Sequence, residues 1–181
     1  VYVRSGTSWS LQKRLAPADG VAGGYFGFSV SISGDTVLVG AVGDDDRGEG
    51  SGSAYVFTRS AGVWTQQQKL TATDGAPLDN FGFSVWVDGD TAAISAYGDD
   101  DRGLDAGAVH VYTRAGVTWT PQQKVVSADG AAYDGFGYAC VVKGSTLAVR
   151  APYDDTAAGA DAGSVYTFVR PSAIWNAEAK L

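Results

Sequence analysis

The chain has 181 residues with 20 acidic and 13 basic side chains, and its formal net charge of -7 argues against a nucleic-acid partner, which calls for a basic surface. No apolar run approaches the roughly 20 residues that span a bilayer, so insertion into a membrane is not expected either. Twenty-five glycines and 12% aromatics point instead to a β-rich protein with many tight turns.

Landmarks recur at one spacing of about 55 residues along the whole chain. Trp9, Trp64 and Trp119 share it, and Trp175 follows after one extra residue, which falls in the loop Thr156–Ala162. Phe26-Gly27, Phe81-Gly82 and Phe136-Gly137 keep the same register, as do Asp19, Asp74 and Asp129. So do Arg4, Arg59, Arg114 and Arg170, and the closing basic residues Arg14, Lys69, Lys124 and Lys180. The repeats run over about 1–55, 56–110 and 111–166, with a partial copy at 167–181, in a single region covering 1–181.

Each copy reads as four short strands. The first follows the Phe-Gly pair and alternates, with Phe28, Val30 and Ile32 on one face and Ser29, Ser31 and Ser33 on the other. A tight turn at Ser33-Gly34-Asp35 leads to a second strand, Thr36–Ala41, apolar enough to be covered on both faces. The acidic, glycine-rich loop Gly43–Gly52 precedes a third strand, Ser53–Thr58, and a turn at Ala61-Gly62 precedes a polar fourth strand, Val63–Leu70. Pro121 falls in the fourth strand of the next copy, which places that strand at an edge. Four antiparallel strands graded from apolar to polar describe an all-β fold of β-propeller blades. The chain opens with a third and fourth strand and continues through three full blades, a count that does not close a ring. We therefore expect part of a larger propeller, completed by another protein chain or by further sequence of the same protein. The absence of Met, even at position 1, and of a signal peptide agrees with a mature, trimmed or partial segment.

The segments Phe26-Gly27-Phe28-Ser29-Val30, Phe81-Gly82-Phe83-Ser84-Val85 and Phe136-Gly137-Tyr138 resemble the FG-GAP repeats of integrin α-subunit propellers and of bacterial and protist surface proteins. So do Val39-Gly40-Ala41-Val42, Gly52–Phe57 and Trp64–Leu70, and the resemblance covers essentially the whole chain. It implies an extracellular or cell-surface propeller, commonly about seven-bladed, used for adhesion, ligand binding or structural assembly. The integrin calcium loop, an Asp-x-Asp-x-Asp-Gly segment between first and second strands, has no counterpart here. Ser33-Gly34-Asp35, Asp88-Gly89-Asp90 and Lys143-Gly144-Ser145 are too short to wrap a cation.

Candidate chemistry lies in the loop after the second strand, which carries Asp44, Asp45 and Asp46, then Asp99, Asp100 and Asp101, then only Asp154 and Asp155. Blade topology gathers these carboxylates on one face together with Asp19, Asp74, Asp79, Asp129 and Asp134 from the links between blades. Clustered carboxylates with nearby glycine suit Ca2+, which takes six to eight oxygens. The other reading is that the aspartates build turns, some pairing with Arg47 and Arg102. His110 aligns with Tyr55 and Tyr166, so it fills an aromatic strand position or serves as a ligand or base. Cys140 aligns with Val30 and Val85 and reads as a packed core thiol. Arg150 stands where earlier copies have Gly40 and Ser95, facing the central channel or a subunit contact. Trp64 and Trp119 read either as packing at the start of the outer strand or as platforms of a lectin-like, glycan-binding propeller. No Gly-x-Ser-x-Gly elbow or repeated base is present, so no enzyme is expected.

Overall fold

The computed structural model describes residues 1–181 and contains strands and turns without a helix. Strands β1 (Tyr2–Ser5) and β2 (Ser8–Leu11) pair alone as a two-stranded sheet. Three four-stranded antiparallel sheets follow, each in simple chain order. The first blade is β3 (Phe26–Ser33), β4 (Thr36–Ala41), β5 (Ser53–Ser60) and β6 (Val63–Leu70). The second is β7 (Phe81–Asp88), β8 (Thr91–Ala96), β9 (Ala108–Ala115) and β10 (Thr118–Val125). The third is β11 (Ala139–Lys143), β12 (Thr146–Ala151), β13 (Ser164–Val169) and β14 (Asn176–Lys180). Pro121 lies on the edge strand β10, at a bulge where the register to β9 shifts, so its missing N–H costs the ladder nothing.

The cores lie between blades. Leu38, Ala54, Val56 and Leu70 of the first blade meet Phe81, Val85, Val87 and Ile94 of the second. Val109, Val111 and Val125 of the second meet Phe136, Val142, Leu147 and Trp175 of the third. Strands β4 and β8 are buried at every residue, as their unbroken apolar runs require, whereas β12 alternates because no blade covers its far face. Cys140 is buried in this packing, and burial pushes its thiol up to about 12, so it is an inert core residue.

The docking distance between blades is set by glycine. A Cβ on Gly40 would come within 2.0 Å of the Gly82 carbonyl oxygen, and one on Gly82 within 2.4 Å of the Ser53 carbonyl. Gly82 also has φ of +96°, a conformation that side chains resist. Gly82 and its counterpart Gly27, at φ of +97°, each lie in a bulge. Between Phe26 and Val30, and between Phe81 and Val85, the register to the next strand shifts, which takes Phe28 and Phe83 out of the alternation that the sequence suggests. Their rings join a row that crosses the blades instead: Phe28 to Phe83 at 5.2 Å, Phe83 to Tyr97 at 4.8 Å and Phe83 to Tyr138 at 5.4 Å.

The outer strands are tied by side chains. Trp64, Trp119 and Trp175 are buried, and each indole N–H donates to a glutamine of the preceding unit: Gln12 at 2.7 Å, Gln67 at 3.0 Å and Gln122 at 3.1 Å. Arg59, Arg114 and Arg170 cover the outer faces of these rings at 5.2, 5.0 and 4.8 Å. A buried indole engaged on both sides presents no platform to a sugar, so packing is the role of Trp64 and Trp119.

Candidate functional site

The acidic residues do converge on one face, and three lysines organise them. Lys69, next to last in β6, lies directly across the ladder from Tyr55 of β5, which brings its ammonium to the root of the loop Gly43–Gly52. Its Nζ lies 2.9 Å from Asp19, 3.1 Å from Asp44 and 2.5 Å from Asp46. Lys124 repeats the arrangement at 2.9 Å from Asp74 and 2.6 Å from each of Asp99 and Asp101. Lys180 lies 2.7 Å from both Asp129 and Asp154, and Thr156 stands where a third carboxylate would complete the set.

Each Asp triplet therefore divides into three roles. The first member, Asp44, Asp99 or Asp154, is buried and faces the ammonium. The second caps the loop: Asp45 accepts from the Gly50 N–H at 2.8 Å, Asp100 from Asp105 at 2.8 Å, and Asp155 from Asp161 at 2.9 Å. The last of these spans one more residue than the others, which is how the loop absorbs its insertion without losing the cap. The third member, Asp46 or Asp101, is exposed and closes the cluster from outside. Turn building is thus the task of the second position, while the first and third surround a cation that the chain itself supplies.

The pairing expected for Arg47 and Arg102 does not form. Neither makes a salt bridge, and Arg47 donates to the Thr73 carbonyl oxygen at 3.5 Å instead. The lysines were visible in the sequence as repeated landmarks, and their position opposite Tyr55, His110 and Tyr166 at the end of the last strand was the signal that could have placed them.

The charges respond accordingly. Burial pulls the Lys69 ammonium down, but the hydrogen bonds it donates to Asp46, Tyr55, Asp19 and Asp44 outweigh it and hold the group above its ordinary range. Lys180 is raised in the same way by Asp129 and Asp154. Lys69 in turn keeps Asp19 below the usual carboxylate range, and Lys180 does the same for Asp129. In blades one and three a tyrosine completes the cluster, with Tyr55 Oη donating to Asp44 at 2.6 Å and Tyr166 Oη donating to Asp129 at 2.8 Å. In blade two His110 takes that position, its ring edge-on to Phe81 at 5.4 Å, and burial pushes its imidazole below the ordinary range.

Asp79 behaves oppositely. Burial raises it to about 6, against the backbone hydrogen bond it accepts from Ala76 at 2.7 Å, and the neighbouring Asp99 and Asp100 add to the rise. A raised folded-state value means that the native state holds more protons than the unfolded chain between about pH 4 and pH 6, so stability falls as pH rises through that window. Asp79→Asn keeps the acceptor and removes the charge. It should raise stability by about 2 kcal/mol at pH 7, with the two melting curves converging near pH 4.

Arg150 is exposed on the far face of blade three, stacked over Tyr138 at 5.1 Å. On the opposite end, an open groove of about 580 Å³ is lined by Val1, Tyr2, Trp9, Val30, Ile32 and Val39 among others. No helix is long and apolar enough to cross a membrane. A family model described as FG-GAP repeat matches residues 9–57, 64–112 and 119–168, which takes in most of the chain. No curated protein matches the sequence.

Proposed function

The chain belongs to the FG-GAP repeat family, and on that premise we propose that it is a non-catalytic, extracellular β-propeller module whose inner blade face binds a further polypeptide. One comparison within the molecule carries this reading. Val30 and Ile32 are 68% and 59% exposed, while the same repeat positions in the next blade, Val85 and Val87, are 4% and 3% exposed against the blade before them. Sheet β1–β2 shields only the outer part of the first blade, leaving the inner part of that face apolar and open. Surfaces of this kind mark sites of association. The occupant that fits is a strand pair of the Phe-Gly type, from further blades of the same protein or from a partner chain, giving a larger propeller suited to adhesion or structural assembly.

Light scattering of the intact chain tests this reading. Self-association or capture of an added preceding blade is expected, and Val30→Asp with Ile32→Asp should abolish it without lowering the melting temperature by more than a degree or two. A parent chain that stays monomeric and ignores an added blade would sink the proposal.

A further inference from the structure

The three lysine clusters share one plan, and they differ in the third carboxylate, which blade three lacks, and in the aromatic residue beside the lysine. In blades one and three the aromatic residue beside the lysine is a tyrosine that spends its hydroxyl on a carboxylate. In blade two the shorter His110 leaves its Nε2 buried with no hydrogen-bond partner, although its side chain is only 6% exposed. That nitrogen points into the cluster and stops 4.0 Å from Asp74 Oδ1. A buried nitrogen without a partner destabilises the fold, and a ligand that satisfied it would remove that cost. Beside it, Asp74, Asp99 and Asp101 present one carboxylate oxygen each, all within 4.8 Å of one another, and Asp74 is the member that His110 approaches.

We propose that His110, Asp74, Asp99 and Asp101 form a divalent-cation site in blade two, selective for zinc-like ions, in which the metal exchanges with the Lys124 ammonium. The donor set decides the class of ion. Hard cations such as Ca2+ take oxygens and gain nothing from an imidazole, whereas Zn2+ and Co2+ are well served by one nitrogen with carboxylates. Metal–ligand bonds of about 2.0–2.2 Å place neighbouring donors a little over 3 Å apart, so binding draws the imidazole inward, from 4.0 Å at Asp74 and from farther at the other two carboxylates. The site also has an exit for its present occupant: the Lys124 side chain is 19% exposed, enough for the ammonium to swing outward while keeping Asp101 within reach. Asp100 is not a ligand, because its carboxylate caps the loop at Asp105. Blades one and three lack the site because each tyrosine hydroxyl is a donor already committed to a carboxylate.

The test uses the untagged intact chain, stripped with chelator and titrated calorimetrically with Zn2+ and, separately, Ca2+, with Co2+ absorption as a spectroscopic reporter. The expected result is one Zn2+ per chain and a visible Co2+ band. His110→Tyr installs the residue that the other blades carry at this position, so the variant should fold, yet it should lose the Co2+ band and weaken Zn2+ binding at least about tenfold. Lys124→Gln, which removes the competing cation, should bind Zn2+ more tightly. Absence of Zn2+ binding by the parent, or equal binding by His110→Tyr, would overturn the site, and weaker binding by Lys124→Gln would overturn the exchange.

Discussion

Replacing Lys69 by Met should destabilise the fold by about 3 kcal/mol, read as a lowered urea midpoint at unchanged slope. The cost does not come from losing the two exposed ion pairs to Asp19 and Asp46, which would be worth little. It comes from Asp44, whose side chain is 4% exposed and whose charge has the ammonium at 3.1 Å together with the Tyr55 hydroxyl at 2.6 Å. Without Lys69, the two carboxylates Asp44 and Asp46 lose the cation that both contact, and one of them must stay buried. Two controls sharpen the expectation. Adding Asp44→Asn to Lys69→Met should restore about half the loss, because it removes the stranded charge. Raising the salt concentration should change the cost little, since a buried pair is poorly screened. A cost below about 1 kcal/mol, or one abolished by salt, would show that the cluster behaves as an ordinary surface network.

Gly82→Ala should be more damaging still, at about 4 kcal/mol. Two terms combine: the strain of a side chain at a φ of +96° and the overlap of its methyl with the Ser53 carbonyl of the preceding blade. The chain carries its own control. Gly27 occupies the same repeat position with φ of +97°, but a Cβ there meets nothing within 4 Å. Gly27→Ala should therefore cost only the backbone term, about 1–2 kcal/mol, and the difference between the variants measures how closely the blades dock. Equal costs at the two glycines would mean that the second blade rides further from the first than their backbone distances imply. Adding a preceding blade to the chain should make Gly27→Ala as costly as Gly82→Ala.

Much of the architecture was legible in the sequence because a repeat reports its own register. The equal spacing of Trp9, Trp64 and Trp119, the edge-strand proline Pro121 and the double-sided apolar strand Thr36–Ala41 each have one simple physical meaning, and the sheets carry them all. The buried position of Cys140 followed from its alignment with Val85. What escaped were contacts made through the sheet ladder. Lys69 stands more than twenty residues after Asp44, and only the pairing of β5 with β6 puts it beside Tyr55 and so beside the loop. Arg47 was the nearer cation in sequence, yet its backbone direction sends it to Thr73. Phe28 left its alternating face because a positive-φ glycine precedes it, a signal that is present in the sequence but has no sign until the bulge is seen.

The ties between units also bear on how the chain acquires its shape. Gln12 reaches Trp64, Gln68 reaches Trp119 and Gln123 reaches Trp175, across 52, 51 and 52 residues. The Ser31 and Ser84 hydroxyls accept from backbone N–H groups 56 residues onward, and the longest of these ties, Arg170 to Thr91, covers 79. Each of these ties joins neighbouring units, and none skips a blade. As the chain leaves the ribosome, each interface between these blades can therefore close as soon as the later of its two units is made, so for them the order of synthesis is also the order of assembly.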